Sequence, residues 1–278
     1  MTPILVYGCD DAYFLPTIIS LKSFVMHNPN WDIVVMDVGM TPAQVTELKQ
    51  LARVLPFPRE PRQDVLFIPS AKARIMALTL FPNDSTVMLY LDSDSLVFGS
   101  FEPLLEQFIA SGLPVGIALE SDKRFNRLPM NRAWLQDTVP AQLFPRHETW
   151  QHRMIPNTGL VLATGNEARA WGQRALPILE EHRNLSLMGE QTILDSVLYE
   201  DGIPFLPLPV YQHCYVSEEF VKHRGRGLPY VDTIPYIDSQ PVLFRHFCGK
   251  LNKQTLAARV PYLCKKFGIR AGTFKPRR

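Results

Sequence analysis

Several features that mark other classes of protein are missing from this 278-residue sequence. No apolar run approaches the roughly 20 residues that a helix needs to span a bilayer. The N-terminus leads directly into an apolar segment, without the basic region and small-residue cleavage site of a signal peptide. Gly8 is the only glycine in the turn after that segment, which argues against the glycine-rich phosphate loop of a nucleotidyltransferase. We therefore expect a cytoplasmic protein.

Cysteine is also scarce, and its spacing is irregular. The four cysteines are Cys9, Cys214, Cys248 and Cys264. Without a C-x-x-C pair or a regular framework, they indicate reduced thiols rather than disulfides. His213 lies beside Cys214, but no second ligand pair accompanies them, so we do not assign a zinc site.

Short apolar segments alternate with helical patterns in the first part of the chain. The segments Ile4–Tyr7, Ile33–Met36 and Val87–Leu91 read as strands, and helices are expected from Pro16 and from the capping box that begins at Thr41. This alternation predicts an α/β protein with one mostly parallel sheet flanked by helices.

The second half of the chain is more irregular. It has a strand at Val115–Leu119, another from Ile155, a helix over Glu167–Glu181 kinked at Pro177, and a helix starting near Glu190. Residues 121–153 are irregular, charged and proline-containing, and residues 201–245 are expected to hold short strands and many prolines. We expect an elaborated C-terminal half on a single domain.

Two carboxylates follow the most apolar strand, in Asp92-Ser93-Asp94. Because residues i and i+2 of an extended chain point to the same side, both side chains converge and would repel each other without a cation or proton between them. Oxygen ligands suit Mg²⁺ or Mn²⁺, and the crevice beyond the strand ends is where ligands bind in such sheets. The alternative is a strand followed by an Asx-type turn.

The C-terminus is basic. Residues 265–278 carry six basic side chains and no acid in a chain with a net charge of +2, interleaved with Phe267, Ile269 and Phe274. This pattern suits peripheral contact with the inner face of an anionic membrane, and the alternative is a frayed, solvated tail. It lacks a nucleic-acid-binding motif, so no nucleic-acid partner is expected.

Several segments together resemble one enzyme family. They are Val6–Tyr13, Arg74 with the acidic strand that follows it, Asn157-Thr158-Gly159, Gly189-Glu190-Gln191 and Arg245–Lys250. The chain is similar over residues 1–253 to the retaining glycosyltransferases of family 8, which have the GT-A fold and include glycogenin. The resemblance implies a GT-A domain over 1–253, a basic, aromatic-containing tail over 254–278, and transfer of glucose or galactose from a UDP-sugar to a glycan or glycolipid hydroxyl.

The resemblance also implies the metal and the nucleotide contacts. His246 would complete a Mn²⁺ site with Asp92 and Asp94, Mg²⁺ being the alternative ion, because an imidazole nitrogen favours Mn²⁺. In the turn after the first strand, Asp10 would recognise the uracil by a hydrogen bond, and Tyr13 would pack near the base. Donor-binding roles are also implied for Gly8, Ser93 and Gly249. Asp10 and Asp11 have the alternative role of capping the helix that contains Pro16.

Arg74 matches a family arginine that contacts the donor, with Lys72 as a competing candidate and a helix-surface salt bridge as the alternative. Lys250 or Lys253 would neutralise the diphosphate, because Asn252 stands where the family has lysine.

Near the transferred sugar, the resemblance assigns hydroxyl contacts to Asn157 and Gly159, and to Glu120 or Asp122, which the sequence does not separate. Glu190 and Gln191 would border the anomeric carbon as the catalytic pair, and helix capping is the alternative for Glu190.

Thr192 stands where some relatives have aspartate, so no nucleophile is available from that position. The family resemblance favours same-face attack by the acceptor. The rival function is a sugar-nucleotide-binding protein or nucleotidyltransferase-like enzyme without glycosyl transfer.

Overall fold

A computed structural model describes residues 1–57, 69–119, 156–181, 189–208, 230–231, 234–237, 239–247, 250–270 and 274, with side chains except at 69–71, 119, 189, 192, 230 and 250–253. The helices of this part of the chain are α1 (Phe14–Val25), α2 (Pro42–Leu48), α3 (Pro69–Leu80), α4 (Glu102–Ser111), α5 (Gly165–Glu181), α6 (Gly189–Glu200) and α7 (Lys250–Phe267). The strands are β1 (Thr2–Cys9), β2 (Asp32–Asp37), β3 (Arg53–Pro56), β4 (Thr86–Leu91), β5 (Ser95–Val97), β6 (Val115–Leu119), β7 (Pro156–Thr164), β8 (Phe205–Leu208), β9 (Tyr230–Val231), β10 (Ile234–Ile237), β11 (Gln240–Pro241) and β12 (Phe244–His246).

Seven strands form the central sheet, in the order β3-β2-β1-β4-β7-β6-β8. The pairs among β3, β2, β1 and β4 are parallel, β7 runs antiparallel to both β4 and β6, and β8 is parallel to β6. The expected α/β architecture with a mostly parallel sheet is therefore confirmed. The carboxyl ends of β1 and β4 lie at the same edge, where the two carboxylates follow β4.

Both faces of this sheet are covered by helices, which explains the continuous apolar strands. Leu5 and Tyr7 of β1 face the core beneath α1, α4 and α7, whereas Ile4 and Val6 face the core beneath α3, α5 and α6. None of the helices in the described ranges is both long and apolar enough to cross a bilayer.

Helix α7 runs without interruption across residue 253, the predicted start of the tail. Leu256, Val260 and Leu263 pack into the core that includes α1, and Lys22 Nζ donates to the Phe267 carbonyl at 2.9 Å. This helix is not apparent in the sequence, because Pro261 and the dense basic charge obscure its apolar face. Its buried side chains pack against the sheet domain, whereas Lys265 and Lys266 are exposed.

The helix that begins at Thr41 is shorter than expected. Its capping box is present, with the Thr41 hydroxyl and the Gln44 side chain each bonding the other residue's backbone N–H. The sequence pattern predicts an end near Ala52, but the helix ends at Leu48, because the Gln50 and Leu51 amides bond three residues back and tighten the chain into a turn. The additional strand β3 then follows.

Gly172 sets the close approach of α5 to α3. A Cβ at this position would lie 2.7 Å from Leu78 Cβ and 2.9 Å from the backbone of α3.

Because backbone cannot yield as a flexible side chain can, we expect Gly172→Ala to lower the free energy of unfolding by about 1–3 kcal/mol. Urea denaturation measures this, with the exposed neighbour Gln173→Ala as the matched control, for which about 0.5 kcal/mol or less is expected. Equal stability of the two variants would contradict the packing.

Candidate active site

The acidic loop between β4 and β5 is held by neighbouring segments through its backbone. The Asp92 N–H donates to the Gly159 carbonyl at 2.9 Å, and the Phe247 N–H donates to the Asp94 carbonyl at 2.7 Å. The Ser95 hydroxyl donates to the Asp92 carbonyl at 2.7 Å. The loop is thereby fixed between β7 and the chain that follows β12.

Strand pairing brings His246 to this loop. Strand β12 runs antiparallel to β5, with His246 opposite Ser95. The His246 Nε2 atom lies 3.3 Å from Asp92 Oδ2 and 3.3 Å from Asp94 Oδ1. The three residues predicted to hold a metal thus come together, although more than 150 residues separate the histidine from the carboxylates.

The chemistry of this group fits a divalent ion. Asp92, Asp94 and His246 each offer one ligand atom, and these atoms all lie within 4.8 Å of one another. Two carboxylate oxygens with one imidazole nitrogen form a donor set that Mn²⁺ accepts readily and that Mg²⁺ also tolerates.

The carboxylates also control the protonation of the histidine. Burial by itself would lower the pKa of His246, but the hydrogen bond to Asp94 and the charges of Asp94 and Asp92 outweigh it, so the pKa is raised overall. The two carboxylates thus favour a proton on the imidazole. An ion would have to displace that proton.

A bulge in β7 forms the side of the site that lies against the His246 imidazole. The β6 partners jump from Val161 to Asn157, so the intervening residues bulge out of the ladder. Asn157 Oδ1 accepts from the Gly159 N–H at 2.9 Å and folds this turn. A Cβ on Gly159 would lie 2.6 Å from both Cε1 and Nδ1 of His246. Gly159 is therefore required for the imidazole to fit.

Arg74 connects three elements around the site. Its Nη1 donates to Thr158 Oγ1 at 2.7 Å and to Glu190 Oε1 at 2.5 Å, and its Nη2 donates to Asp92 Oδ1. Its guanidinium also lies 5.2 Å from the centre of the Tyr90 ring. Burial would lower the pKa of Arg74, but Asp92 and Glu190 raise it overall, so the group stays charged.

The competing candidate is directed elsewhere. Lys72 Nζ forms an ion pair at 2.9 Å with Glu180 of α5. Lys72 therefore makes a salt bridge between two helices, whereas Arg74 contacts the acidic loop.

The catalytic pair expected at the start of α6 borders this network. Glu190 pairs with Arg74 rather than only capping its own helix. Burial raises the pKa of Glu190, and Arg74 opposes that shift. Gln191 is 7% exposed, and its buried Nε2 has no hydrogen-bond partner among the described residues. This amide can donate to a bound molecule without losing an existing bond.

The turn after β1 lies next to the acidic loop. The Ser93 hydroxyl donates to the Gly8 carbonyl at 2.9 Å, which joins the two segments. Asp10 Oδ1 accepts from the Tyr13 N–H at 3.0 Å and caps the short 3-10 helix Asp11–Tyr13. Asp10 thus caps the short 3-10 helix that leads into α1, whereas α1 itself, which contains Pro16, has no side-chain cap.

Comparison with known proteins gives a match over most of the chain. The model of the glycosyl transferase family 8 matches residues 4–204. The chain belongs to this family. It is therefore a glycosyltransferase, in a family whose GT-A members typically use a divalent metal.

Solved structures of other glycosyltransferases share the fold. The galactosyltransferase LgtC, solved with donor and acceptor sugar analogues, is 17% identical with a TM-score of 0.60, over 98% of this chain and 97% of its own. Mouse xyloside xylosyltransferase 1 is 15% identical with a TM-score of 0.51, over 90% and 98%. GlyE of Streptococcus pneumoniae is 17% identical with a TM-score of 0.52, over 90% and 55%. Curated protein sequences give no significant match.

Some family positions fall outside the described residues or lack a described side chain. Glu120, Asp122 and Gly249 lie outside them, as do His213, Cys214 and Cys248. Lys250 begins α7, but its side chain and those of Thr192, Asn252 and Lys253 are not described. Their assigned roles stay predictions.

A chain of buried hydroxyls behind the acidic loop was not found from the sequence. Tyr7 OH lies 2.9 Å from Ser20 Oγ, which lies 2.8 Å from Ser95 Oγ. Ser95 then holds the Asp92 carbonyl. The position of Ser95 directly after the acidic motif is a local signal, but nothing near Ser20 on α1 indicates this contact.

Because His246 needs the space above Gly159, we expect Gly159→Ala to displace the imidazole and weaken Mn²⁺ binding by roughly 10- to 100-fold. Titration of Mn²⁺ monitored by electron paramagnetic resonance measures this without any substrate. Gly99→Ala is the matched control, since the nearest atom to a Cβ there is Leu243 Cδ1 at 3.2 Å, the end of a flexible side chain. An unchanged Mn²⁺ affinity in Gly159→Ala would show that the histidine does not hold the ion.

Proposed function

We propose that this glycosyltransferase moves a hexose, glucose or galactose, from a UDP-sugar to an acceptor hydroxyl with retention at the anomeric carbon. The observation that carries the proposal is the convergence of Asp92, Asp94 and His246 beside the turn that contains Gly8. A carboxylate pair with an imidazole suits an ion that binds a diphosphate, and the adjacent turn offers groups for a nucleobase.

The charges at the site support a divalent ion. Three carboxylates, those of Asp92, Asp94 and Glu190, meet one permanent cation, Arg74. With neutral His246 the group carries a net charge of −2, which a divalent ion balances. When bound, Mn²⁺ or Mg²⁺ would act as a Lewis acid on the departing diphosphate.

Residues of the chain prepare the donor for reaction. Tyr13 and Asp10 would hold the uracil, by stacking and by accepting its N3–H. Arg74 is fixed in place before any substrate arrives, so its charge requires little reorganisation during reaction. Lys250 lies four residues after His246 in the chain, which keeps it within reach of the same diphosphate. Gly249 and Ser93 belong to the segments that carry these groups.

Same-face attack is the route to retention that the residues near the sugar favour. Gln191 is neutral and a poor nucleophile, so we propose attack by the acceptor on the face that the diphosphate leaves. The leaving phosphate oxygen takes the acceptor's proton. Glu190 and Asn157 bind donor hydroxyls, and the Gln191 amide orients the sugar and stabilises developing charge.

The acceptor we propose is a glycan or a glycolipid. Tyr262, Lys265, Lys266 and Arg270 are exposed on and just after α7. Basic side chains with an exposed aromatic ring suit an anionic lipid surface, at about 1 kcal/mol per charge. The same surface would hold the enzyme near a lipid-linked acceptor.

The test is hydrolysis of UDP-sugars with Mn²⁺ and no acceptor, measured as UDP release. We expect slow release from UDP-glucose or UDP-galactose, abolished by a chelator. Asp94→Asn should reduce the rate about 100-fold or more, because a ligand is lost, while the exposed Asp84→Asn should match the wild type. Metal-dependent UDP binding without consumption of any UDP-sugar would instead indicate a nucleotide-binding protein without transfer.

Gln191→Ala tests the supporting role of the amide. We expect kcat to fall about 100-fold while activity remains, because one positioned hydrogen bond is removed but no covalent step. Kinetics of UDP release give the value, and Gln173→Ala on the exposed face of α5 serves as the control. Complete loss of turnover with normal donor binding would mean that Gln191 does more than orient and stabilise.

A further inference from the structure

The C-terminal segment reaches the turn that we assign to the nucleobase. The ring of Phe274 meets the ring of Tyr13 edge-on, with centroids 5.6 Å apart and planes at 64°. Phe274 is 5% exposed and belongs to the core that includes α1 and α7. A residue four positions from the end of the chain is therefore part of the protein interior beside Tyr13.

The described contacts show how α7 leads towards this position. The helix ends with Gly268 at φ +61°, and the Ile269 N–H bonds the Cys264 carbonyl at 2.9 Å. Lys22 of α1 holds the Phe267 carbonyl, and Ile269 is buried. From Lys22 back to Tyr13 is about 13 Å along the α1 axis, a distance that the residues between 267 and 274 readily span.

Phe274 lies behind Tyr13 rather than in front of it. Tyr13 is half-buried, whereas Phe274 is almost fully enclosed, so the more exposed tyrosine ring is the outer one. The backbone of Tyr13 is fixed by Asp10, which accepts from its N–H, and by Thr17, whose hydroxyl donates to its carbonyl at 2.8 Å. These bonds fix the backbone of Tyr13, and Phe274 packs edge-on against its ring.

We propose that Phe274 is a positioning residue for nucleobase recognition, holding the Tyr13 ring ready to stack on the uracil. The inference rests on the proposed function, because it requires a uridine nucleotide at this turn. It gives the C-terminal segment a role in donor binding that is separate from its basic charge. The segment supplies the inner support of the base-binding turn.

The test separates the base from the diphosphate. We expect Phe274→Ala to weaken Mn²⁺-dependent UDP binding roughly three- to tenfold, the effect of losing one aromatic edge contact. Binding of inorganic pyrophosphate with Mn²⁺ should be unchanged, because the metal group does not contact Phe274. Isothermal titration calorimetry on the full chain gives both affinities. For UDP-sugar turnover, KM should rise and kcat should hold.

Three further variants keep the result interpretable. Phe274→Tyr should bind UDP like the wild type, and Phe274→Leu, which stays apolar and keeps the segment folded, should lose most of what Phe274→Ala loses. Ile109→Ala removes an exposed apolar side chain of α4 and should have no effect.

Wild-type affinity for UDP in both Phe274→Ala and Phe274→Leu, or tighter binding, would overturn the inference alone. Equal weakening of UDP and pyrophosphate would also overturn it, since the role would then be general stability. Absence of UDP binding by the wild type would instead overturn the proposed function, and the inference with it.

Discussion

Repulsion between two carboxylates held close together is the constraint on which the site depends. Asp94 is 6% exposed and Asp92 lies beside it, so water screens their charges poorly. Two neighbouring side chains reduce this repulsion. Arg74 forms an ion pair with Asp92, and the His246 imidazole lies 3.3 Å from both carboxylates. A buried arrangement of this kind persists only where each charge has a partner, because an uncompensated buried charge costs several kcal/mol.

The same constraint connects the fold with the chemistry of the family. The sheet edge gathers the ends of β1 and β4, and the bulge in β7 adds Thr158 and Gly159 from a third strand. Helices α3 and α6 then contribute Arg74 and Glu190 across the top of the sheet. These residues come from several different elements, so the packing of two helical layers on one sheet fixes the geometry. Small-residue contacts such as Gly172 against α3 bring those layers close enough.

Several parts of the structure could not be predicted from local sequence patterns. Helix α7 was missed because its apolar face, with Leu256, Val260 and Leu263, is interrupted by basic residues and Pro261. The ion-pair partner of Lys72 could not be predicted, because Glu180 lies on a helix far from it in the sequence. The contact of Phe274 with Tyr13 joins the two ends of the chain, and no short-range pattern carries such information.

The sequence by itself determined the alternation of strands and helices, the α/β class, and the placement of Asp92 and Asp94 on one side of a strand end. These follow from periodicities of two to four residues, which are local. The resemblance to the family identified His246 as the third residue of the predicted metal site. Only the tertiary structure decided that β12 pairs with β5 to bring that imidazole 3.3 Å from both carboxylates, and that Gly159 leaves room for it. Contacts between residues so far apart depend on how the whole chain packs, which no local pattern encodes.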